Sequence, residues 1–296
     1  MNFLENALQK LRASGKPDYE LQEADRAVES RELNADDEEK ICLLEPLAKV
    51  TAKMQAAEGD TMSLAWDLRG NSALFNQFRS IRREIEKQLS TRCGKPRGTV
   101  IVVTSAIPGD GKSFISAGLA RVLAAGQDRK VVLVDGDLPK RHLTQLFGTG
   151  ELPGLSECLA DGRAISEVLC PCDHPAMTFV PAGKWTSDVP DLITSGRLDR
   201  VLKSFRQCDE RHVFVIDTAP VLAFGETAYL AERADLVVLT IRADQTPRAA
   251  VEEALRKLAA DRPLALLLNG QQGSVLDGYY GYGDYGYGAY TPPNTR

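Results

Sequence analysis

A chain of 296 residues, 43% of them hydrophobic, can bury one sizeable core and still carry terminal appendages. Its formal net charge of -5 and pI near 5.4 leave no concentrated basic surface, so nucleic acid is not an expected partner. The longest apolar runs, such as VIVV at Val100, are strand-sized rather than bilayer-sized, and the start lacks a signal peptide's basic and apolar regions; six scattered cysteines read as free thiols, so the expected location is cytoplasmic.

In MNFLENALQKLRASGKP, Asn2 and Glu5 are spaced like a capping box, Leu4, Leu8 and Leu11 share a helical face, and Gly15 with Pro17 closes the segment. Such a short amphipathic helix must dock on its own domain, on a partner or on a membrane surface, and the first is the usual destination. From Asp18 to about Lys40 the chain is dense in Glu, Asp and Arg without apolar periodicity, as in a solvated linker or exposed helix. SALFNQFRSIRREIEKQL then sets Leu74, Phe78, Ile81, Ile85 and Leu89 three and four apart. That spacing predicts a helix with Arg79, Arg82 and Arg83 beside its buried stripe.

From Thr99, apolar β-branched runs alternate with helical stretches: TVIVVTS, a helix from Lys112, VVLVD, a short helix, MTFVPAG, LDRVLKSF, HVFVID, ADLVVLTI, VEEALRKLAA and LALLLN. Runs apolar on consecutive positions are buried on both faces. With helices between them they predict a three-layer α/β/α sandwich around a mostly parallel sheet, whose ligand site lies at the carboxyl ends of the strands. The expected organisation is a helical extension and charged linker over 1–70, an α/β domain over 71–272 and a flexible tail over 273–296. Cys170, Cys172 and His174 in CPCDH could supply metal ligands, but their spacing suits tetrahedral zinc poorly, so the segment reads as an ordinary loop.

AIPGDGKS, Ala106 to Ser113, follows a strand and opens a helix, the context that the P-loop pattern demands. Gly109 and Gly111 let backbone N–H groups close around phosphates, Lys112 supplies a mobile charge to them, and the Ser113 hydroxyl can complete a Mg²⁺ shell. VVLVDGDLPK places Asp135 and Asp137 after one buried strand, and VFVIDTAP places Asp217 at the end of another. Three carboxylates beside a triphosphate repel it and one another unless a metal is bound, which makes ATP and Mg²⁺ the expected ligands.

The ordered set TSAIPGDGKS, VVLVDGDLPK and VFVIDTAPVL with a terminal tyrosine cluster resembles the bacterial tyrosine kinases (BY-kinases) of exopolysaccharide and capsule export, from about Phe75 to Tyr290. GLSECLADG, FVPAG, VVLTIRADQT and LLLNG add to the likeness. The resemblance implies a Walker A loop, a second Walker motif in the DxD and a Walker B aspartate at 217. Asp137 and Asp217, with Ser113, would serve the metal, and Asp135 would accept or orient the tyrosine proton; the division among the three stays open. Ala106, Pro108, Gly109, Asp110, Gly111, Lys112, Ser113, Phe114 and Asn269 would bind nucleotide. Two departures stand out. Asn76 replaces the Glu of a Glu-x-x-Arg-x-x-Arg assembly motif in which Arg79 and Arg82 match, which weakens the expectation of a ring, and Lys140 stands where Arg is usual. The resemblance further implies a homo-oligomer, a cognate tyrosine phosphatase and a separate membrane-spanning activator of the polysaccharide co-polymerase type, which would hold the protein at the inner membrane.

Six of the eight tyrosines, Tyr279, Tyr280, Tyr282, Tyr285, Tyr287 and Tyr290, crowd among glycines near the end of the sequence. Glycine-rich sequence cannot pack them into a core, but it can present successive phenols to an active site. The favoured reading is a tyrosine autokinase that modifies these residues between subunits. A partition-type ATPase is disfavoured by Ile107, where that group carries a signature lysine. A nucleotide-switched scaffold whose tail is a target for another kinase is the third reading.

Overall fold

The computed structural model describes residues 72–90, 97–126, 129–186, 188–258 and 262–270. The expected N-terminal helix, the charged segment to Lys40 and the tyrosine cluster lie outside these residues.

In chain order the elements are α1 (Ser72–Ser90), β1 (Thr99–Ser105), α2 (Lys112–Ala124), β2 (Lys130–Gly136), α3 (His142–Leu146), α4 (Leu155–Ala160) and α5 (Ile165–Val168). They continue with β3 (Cys170–Pro171), β4 (Met177–Val180), α6 (Val189–Leu192), a π-helical turn (Ile193–Arg197), α7 (Leu198–Gln207), β5 (His212–Thr218), α8 (Gly225–Ala231), β6 (Leu236–Arg242), α9 (Arg248–Leu258) and β7 (Leu264–Asn269). The seven-stranded sheet runs β3-β4-β2-β5-β1-β6-β7 and is parallel except for the β3–β4 pair. Because strand side chains alternate, Val132, Val134, Phe214 and Ile216 face one core with α4, α7, α8 and α9, while Val131, Leu133, Val213 and Val215 face the other with α1, α2 and α3. Phe205 of α7 stacks on Phe214 at 4.0 Å between ring centroids. Register matters most for function: Asp135 lies opposite Asp217, and Val103 of β1 also lies opposite Asp217. The loops that follow β1, β2 and β5 therefore open along one edge.

Helix α1 docks through Phe78 and Ile85, both buried, as its apolar spacing predicts. The Phe78 ring occupies the space a side chain at Gly118 would need, so α2 must carry glycine there for the helices to approach. Arg82 donates from Nη1 to the Val122 carbonyl at 3.2 Å and pairs with Glu86 at 3.8 Å. Its guanidinium thus serves its own domain, whereas Asn76 and Arg79 remain exposed on the outer face. Two stretches differ from their sequence reading. Part of CPCDH forms the short edge strand β3, too brief for any periodicity to reveal. LALLLN is not buried on both faces: β7 is an edge strand, and Leu266 and Leu268 are 56% exposed.

Gly118→Val drives a branched side chain into the Phe78 ring. It is expected to destabilise the fold by about 1–3 kcal/mol, the usual cost of overpacking, read as a lowered urea midpoint with unchanged m-value.

Candidate functional site

Between Ser105 and Lys112 the chain turns through Gly109 (φ 95°) and Gly111 (φ 92°), left-handed conformations that glycine adopts without strain. The turn aims backbone N–H groups at the space before α2, an arrangement suited to phosphate. Ala106 is buried beneath it, and Pro108 and Gly109 are exposed. Three residues expected to touch nucleotide do other work with their side chains. Asp110 is 2% exposed and folded back: its Oδ2 accepts from the Ile107 N–H at 3.3 Å and its Oδ1 from the Thr246 hydroxyl at 2.7 Å. Phe114 packs toward Phe78, 5.8 Å between centroids. Asn269 donates from Nδ2 to the Asp110 carbonyl at 3.0 Å and lies against Gly111, where any Cβ would collide with it.

Two residues without an assigned role complete this brace. Arg242, at the end of β6, donates from Nη1 to the Gly109 carbonyl at 3.1 Å, and its N–H donates to Thr246 Oγ1 at 2.8 Å. The phosphate loop is therefore tied to the ends of β6 and β7. VVLTIRADQT and LLLNG carried this information, but neither spacing nor residue type in them specifies a contact across 130 residues of chain.

Asp135, Asp137 and Asp217 are fully buried. Asp217 accepts from Ser113 Oγ at 2.6 Å and from Ser116 Oγ at 3.1 Å. Asp137 Oδ2 lies 2.8 Å from Lys112 Nζ. Burial opposes the charge on Lys112, but Asp217, Asp137 and Asp135 outweigh it and raise its pKa, so the ammonium is retained. Asp135 Oδ2 accepts both the N–H and the hydroxyl of Thr144 at 2.7 Å, and Thr144 Oγ1 accepts in turn from the Ala182 N–H at 2.8 Å. Its Oδ1 is buried without a hydrogen-bond partner. Burial, helped by the neighbouring Asp217 and resisted by Thr144, pushes the Asp135 carboxyl up to about 7. Burial also raises Asp217, against the pull of Lys112 and the Ser113 hydroxyl. Ser116 and Thr144 escaped the sequence reading: a serine inside a helix and a threonine in a five-residue helix carry no motif.

Among the described residues no three His, Cys, Asp or Glu side chains converge as an ion-holding cluster, so the aspartates do not form a cage. The Ser113–Asp217 pair does fit a hard cation that takes most of its oxygens from phosphate and water, as Mg²⁺ does. Asp137, turned to Lys112, stands farther from that role. In the CPCDH segment, Cys170 belongs to β3 and His174 Nδ1 accepts from the Ala176 N–H at 3.3 Å.

No family model matches the sequence. EpsB of Ralstonia solanacearum is 36% identical over 159 residues, 54% of this chain and 21% of EpsB, so the chain spans about a fifth of that relative's length. Tyrosine-protein kinase YwqD of Bacillus subtilis is 29% identical over 212 residues, 70% of this chain and 86% of YwqD. Among solved structures, the VpsO kinase domain is 30% identical with a TM-score of 0.53, covering 59% of this chain and 86% of that domain. The kinase domain of the Escherichia coli tyrosine kinase ETK shares the fold, with a TM-score of 0.62 at 22% identity over 81% of this chain and 94% of that one.

Thr246→Val removes the hydroxyl that satisfies Asp110 inside the brace. It is expected to weaken nucleotide binding by about 1–3 kcal/mol, the cost of a buried acceptor left unpaired, in a titration with fluorescent ATP. Asp135 makes a second expectation, on pH. Its folded value, about 7, exceeds the unfolded value of 3.8, so the stability it contributes is complete below the unfolded value and lost as pH rises through the folded one. Urea titrations of the nucleotide-free protein should show unfolding free energy falling between pH 4 and 7, and Asp135→Asn should reduce that slope.

Proposed function

We infer the function of this chain from the family to which it belongs, the bacterial tyrosine-protein kinases: it is an ATP-dependent protein-tyrosine autokinase that phosphorylates its own terminal tyrosine cluster, between subunits, and so regulates exopolysaccharide or capsule polymerisation and export. The observation that carries this reading is the register of β1, β2 and β5, which gathers Lys112, Ser113 and the three buried aspartates at one edge of the sheet. A plain nucleotide switch needs the loop and the Walker B residue. Beyond these stands a further buried carboxylate turned away from Lys112, Asp135, whose Oδ1 has no hydrogen-bond partner and would accept a proton.

The N–H groups of Gly109 to Ser113 would hold the phosphates, and Lys112 would exchange Asp137 for the phosphate oxygens. Bound Mg²⁺ would neutralise charge on the transferring phosphoryl group, held by Ser113 with Asp217 and Asp137 behind it or joined through water. The tyrosine oxygen forms a bond to the γ-phosphorus as the bond to the β-phosphate oxygen breaks; ADP leaves, and the phenolic proton passes to Asp135 Oδ1. Thr144 holds the other Asp135 oxygen, so the accepting atom keeps its direction.

Among the described residues no helix is long and apolar enough to cross a membrane. We place the protein in the cytoplasm, peripheral to the inner membrane through a membrane-spanning activator of the polysaccharide co-polymerase type, with a tyrosine phosphatase opposing it. Self-association would use the exposed Asn76 and Arg79 face of α1, since Arg82 is engaged within the domain.

The test is incubation of the purified protein with ATP and Mg²⁺, followed by mass-spectrometric mapping of phosphotyrosine. Lys112→Met should lower phosphotyrosine at least a hundredfold, but it also strips Asp137 of its buried partner, a change that costs about 3–5 kcal/mol. The double variant Lys112→Met/Asp137→Asn relieves that charge and should recover stability without activity. Phosphotyrosine at wild-type levels in either variant overturns the assignment.

A further inference from the structure

At the carboxyl edge, between the loops that follow β2 and β5, lies a half-open pocket, with about 520 Å³ of empty space when the solvent at its mouth is included, that the phosphate loop and the aspartates leave free. Its floor is Gly136 and Thr218, and its walls include Leu138, Leu159, Trp185 and Phe224. Among the described residues Glu226 is the one charged residue lining it. The two threonine hydroxyls in the lining are taken: Thr218 Oγ1 donates to the Val103 carbonyl and Thr227 Oγ1 to the Ala219 carbonyl, each at 3.0 Å. Among the described residues such a surface offers a phosphate or a sugar no free hydroxyl donor and offers a good deal to an apolar ring.

Its position relative to the aspartates is set by strand alternation. Gly136 and Thr218 are register partners, next in sequence to the partners Asp135 and Asp217. Asp135 and Asp217 share parity with Leu133 and Val215 and belong to the face covered by α2, whereas the cavity lies on the opposite face with Val134 and Ile216. A ring seated in the cavity therefore does not face Asp135 or Asp217 and is not the one phosphorylated. Only the strand ends separate the two, and Gly136 adds no side chain to that barrier; a Cβ there would press on the Asp217 carbonyl.

We propose that this cavity is an anchor subsite for an aromatic residue two positions from the acceptor tyrosine, filled by the Tyr-Gly-Tyr segments Tyr280–Tyr282 and Tyr285–Tyr287. The proposal rests on the kinase reading. In an extended peptide, residues i and i+2 point the same way about 6.6–6.8 Å apart, so two such rings can straddle the strand ends, one entering the cavity and the other reaching the aspartates. The intervening glycine adds no bulk between them. Reach is adequate even within one subunit, the more demanding comparison for a reaction proposed to run between subunits being left to the experiment: β7 ends at this same edge, and β5 and β2 lie three and four strands away, about 14 and 19 Å at 4.7–4.9 Å per strand. Tyr280 is ten positions beyond Gly270, chain enough for about 33–36 Å. A phosphate on the anchoring ring, with about -1.5 to -2 charges, would face apolar walls and Glu226. Modification of one member of a pair therefore removes it as anchor for the other.

The experiment uses the full chain with its six tail tyrosines changed to alanine, so that added peptides do not compete with its own tail. Peptides GDFGYGA and GDAGYGA, and the reversed pair GDYGFGA and GDYGAGA, are compared as substrates. In at least one order, phenylalanine at the non-acceptor position should keep KM within about twofold of GDYGYGA and alanine should raise it about tenfold or more, with KM for ATP unchanged. Phe224→Ala should erase the difference between the phenylalanine and alanine peptides. In the same chain carrying Trp66→Phe, so that Trp185 is the remaining tryptophan, fluorescence should change on addition of GDFGFGA with ADP, a measurement that needs no phosphoryl transfer. A Trp185 response without transfer to any peptide retains the subsite and refutes the kinase reading. Transfer with equal KM for phenylalanine and alanine peptides in both orders, or a silent Trp185, overturns the subsite.

Discussion

Three carboxylates without solvent contact at the ends of two adjacent strands are the constraint from which the rest of the site follows. Ionised carboxylates cannot be withdrawn from water unless each finds a cation, a donor or a proton. The fold supplies one of each. Lys112 stands against Asp137, the hydroxyls of Ser113 and Ser116 bond Asp217, and Asp135, pushed up to about 7, sits where a proton is readily held or released. Parallel pairing of β2 with β5 makes their separate fates necessary, because it sets Asp135 directly opposite Asp217. Two like charges at adjacent positions raise one another, and burial amplifies the effect.

The arrangement before a phosphate arrives is also the one that phosphate displaces. Lys112 is held by a side chain that a bound triphosphate would replace, and the Ser113 hydroxyl by one that would share a bound cation. The loop itself is less free to rearrange, since Arg242, Thr246 and Asn269 fix Gly109 and Asp110 from two neighbouring strands. Preset amides lose little conformational freedom on binding, so what changes with ligand is the pairing of charges rather than the course of the backbone. This assigns Asp110 a supporting part that its place in a phosphate-binding motif conceals.

How much of this could be read from residues alone depended on the range of the interaction. Strands such as TVIVVTS and HVFVID announce themselves because burial on both faces demands consecutive β-branched and aromatic residues, and the glycines at 109 and 111 because left-handed turns demand them. The helix over Phe78 and Ile85 was legible from its period, and Gly118 from nothing, since its need arises only where α1 crosses α2. β3 is too short for periodicity. LALLLN reads like an interior strand, yet its place at the edge is decided by topology. Thr144 and Thr246 are ordinary polar residues until the chain folds Asp135 and Asp110 onto them. Phe114 and Asn269 lie in the expected stretches with their side chains turned to other tasks, a distinction that motif spacing does not contain.

On the proposed autokinase reading, apolar walls beside a charged centre bear on how the enzyme handles a repetitive tail. Residues carrying the phosphoryl chemistry are selective for phosphate and proton, and nothing in them distinguishes one phenol of the cluster from the next. Discrimination has to come from surface the chemistry does not use, and the cavity floored by Gly136 and Thr218 is such a surface within one residue of Asp135 and Asp217. An anchor that accepts a neutral ring and rejects a doubly charged one reads the modification state of the tail as it binds. Full modification of six tyrosines would add about -9 to -12 charges, beyond the formal -5 of the whole chain. A subsite that disfavours the second phosphate in each Tyr-Gly-Tyr pair keeps the tail short of that limit, and the charge on the tail becomes graded by the same contact that selects its tyrosines.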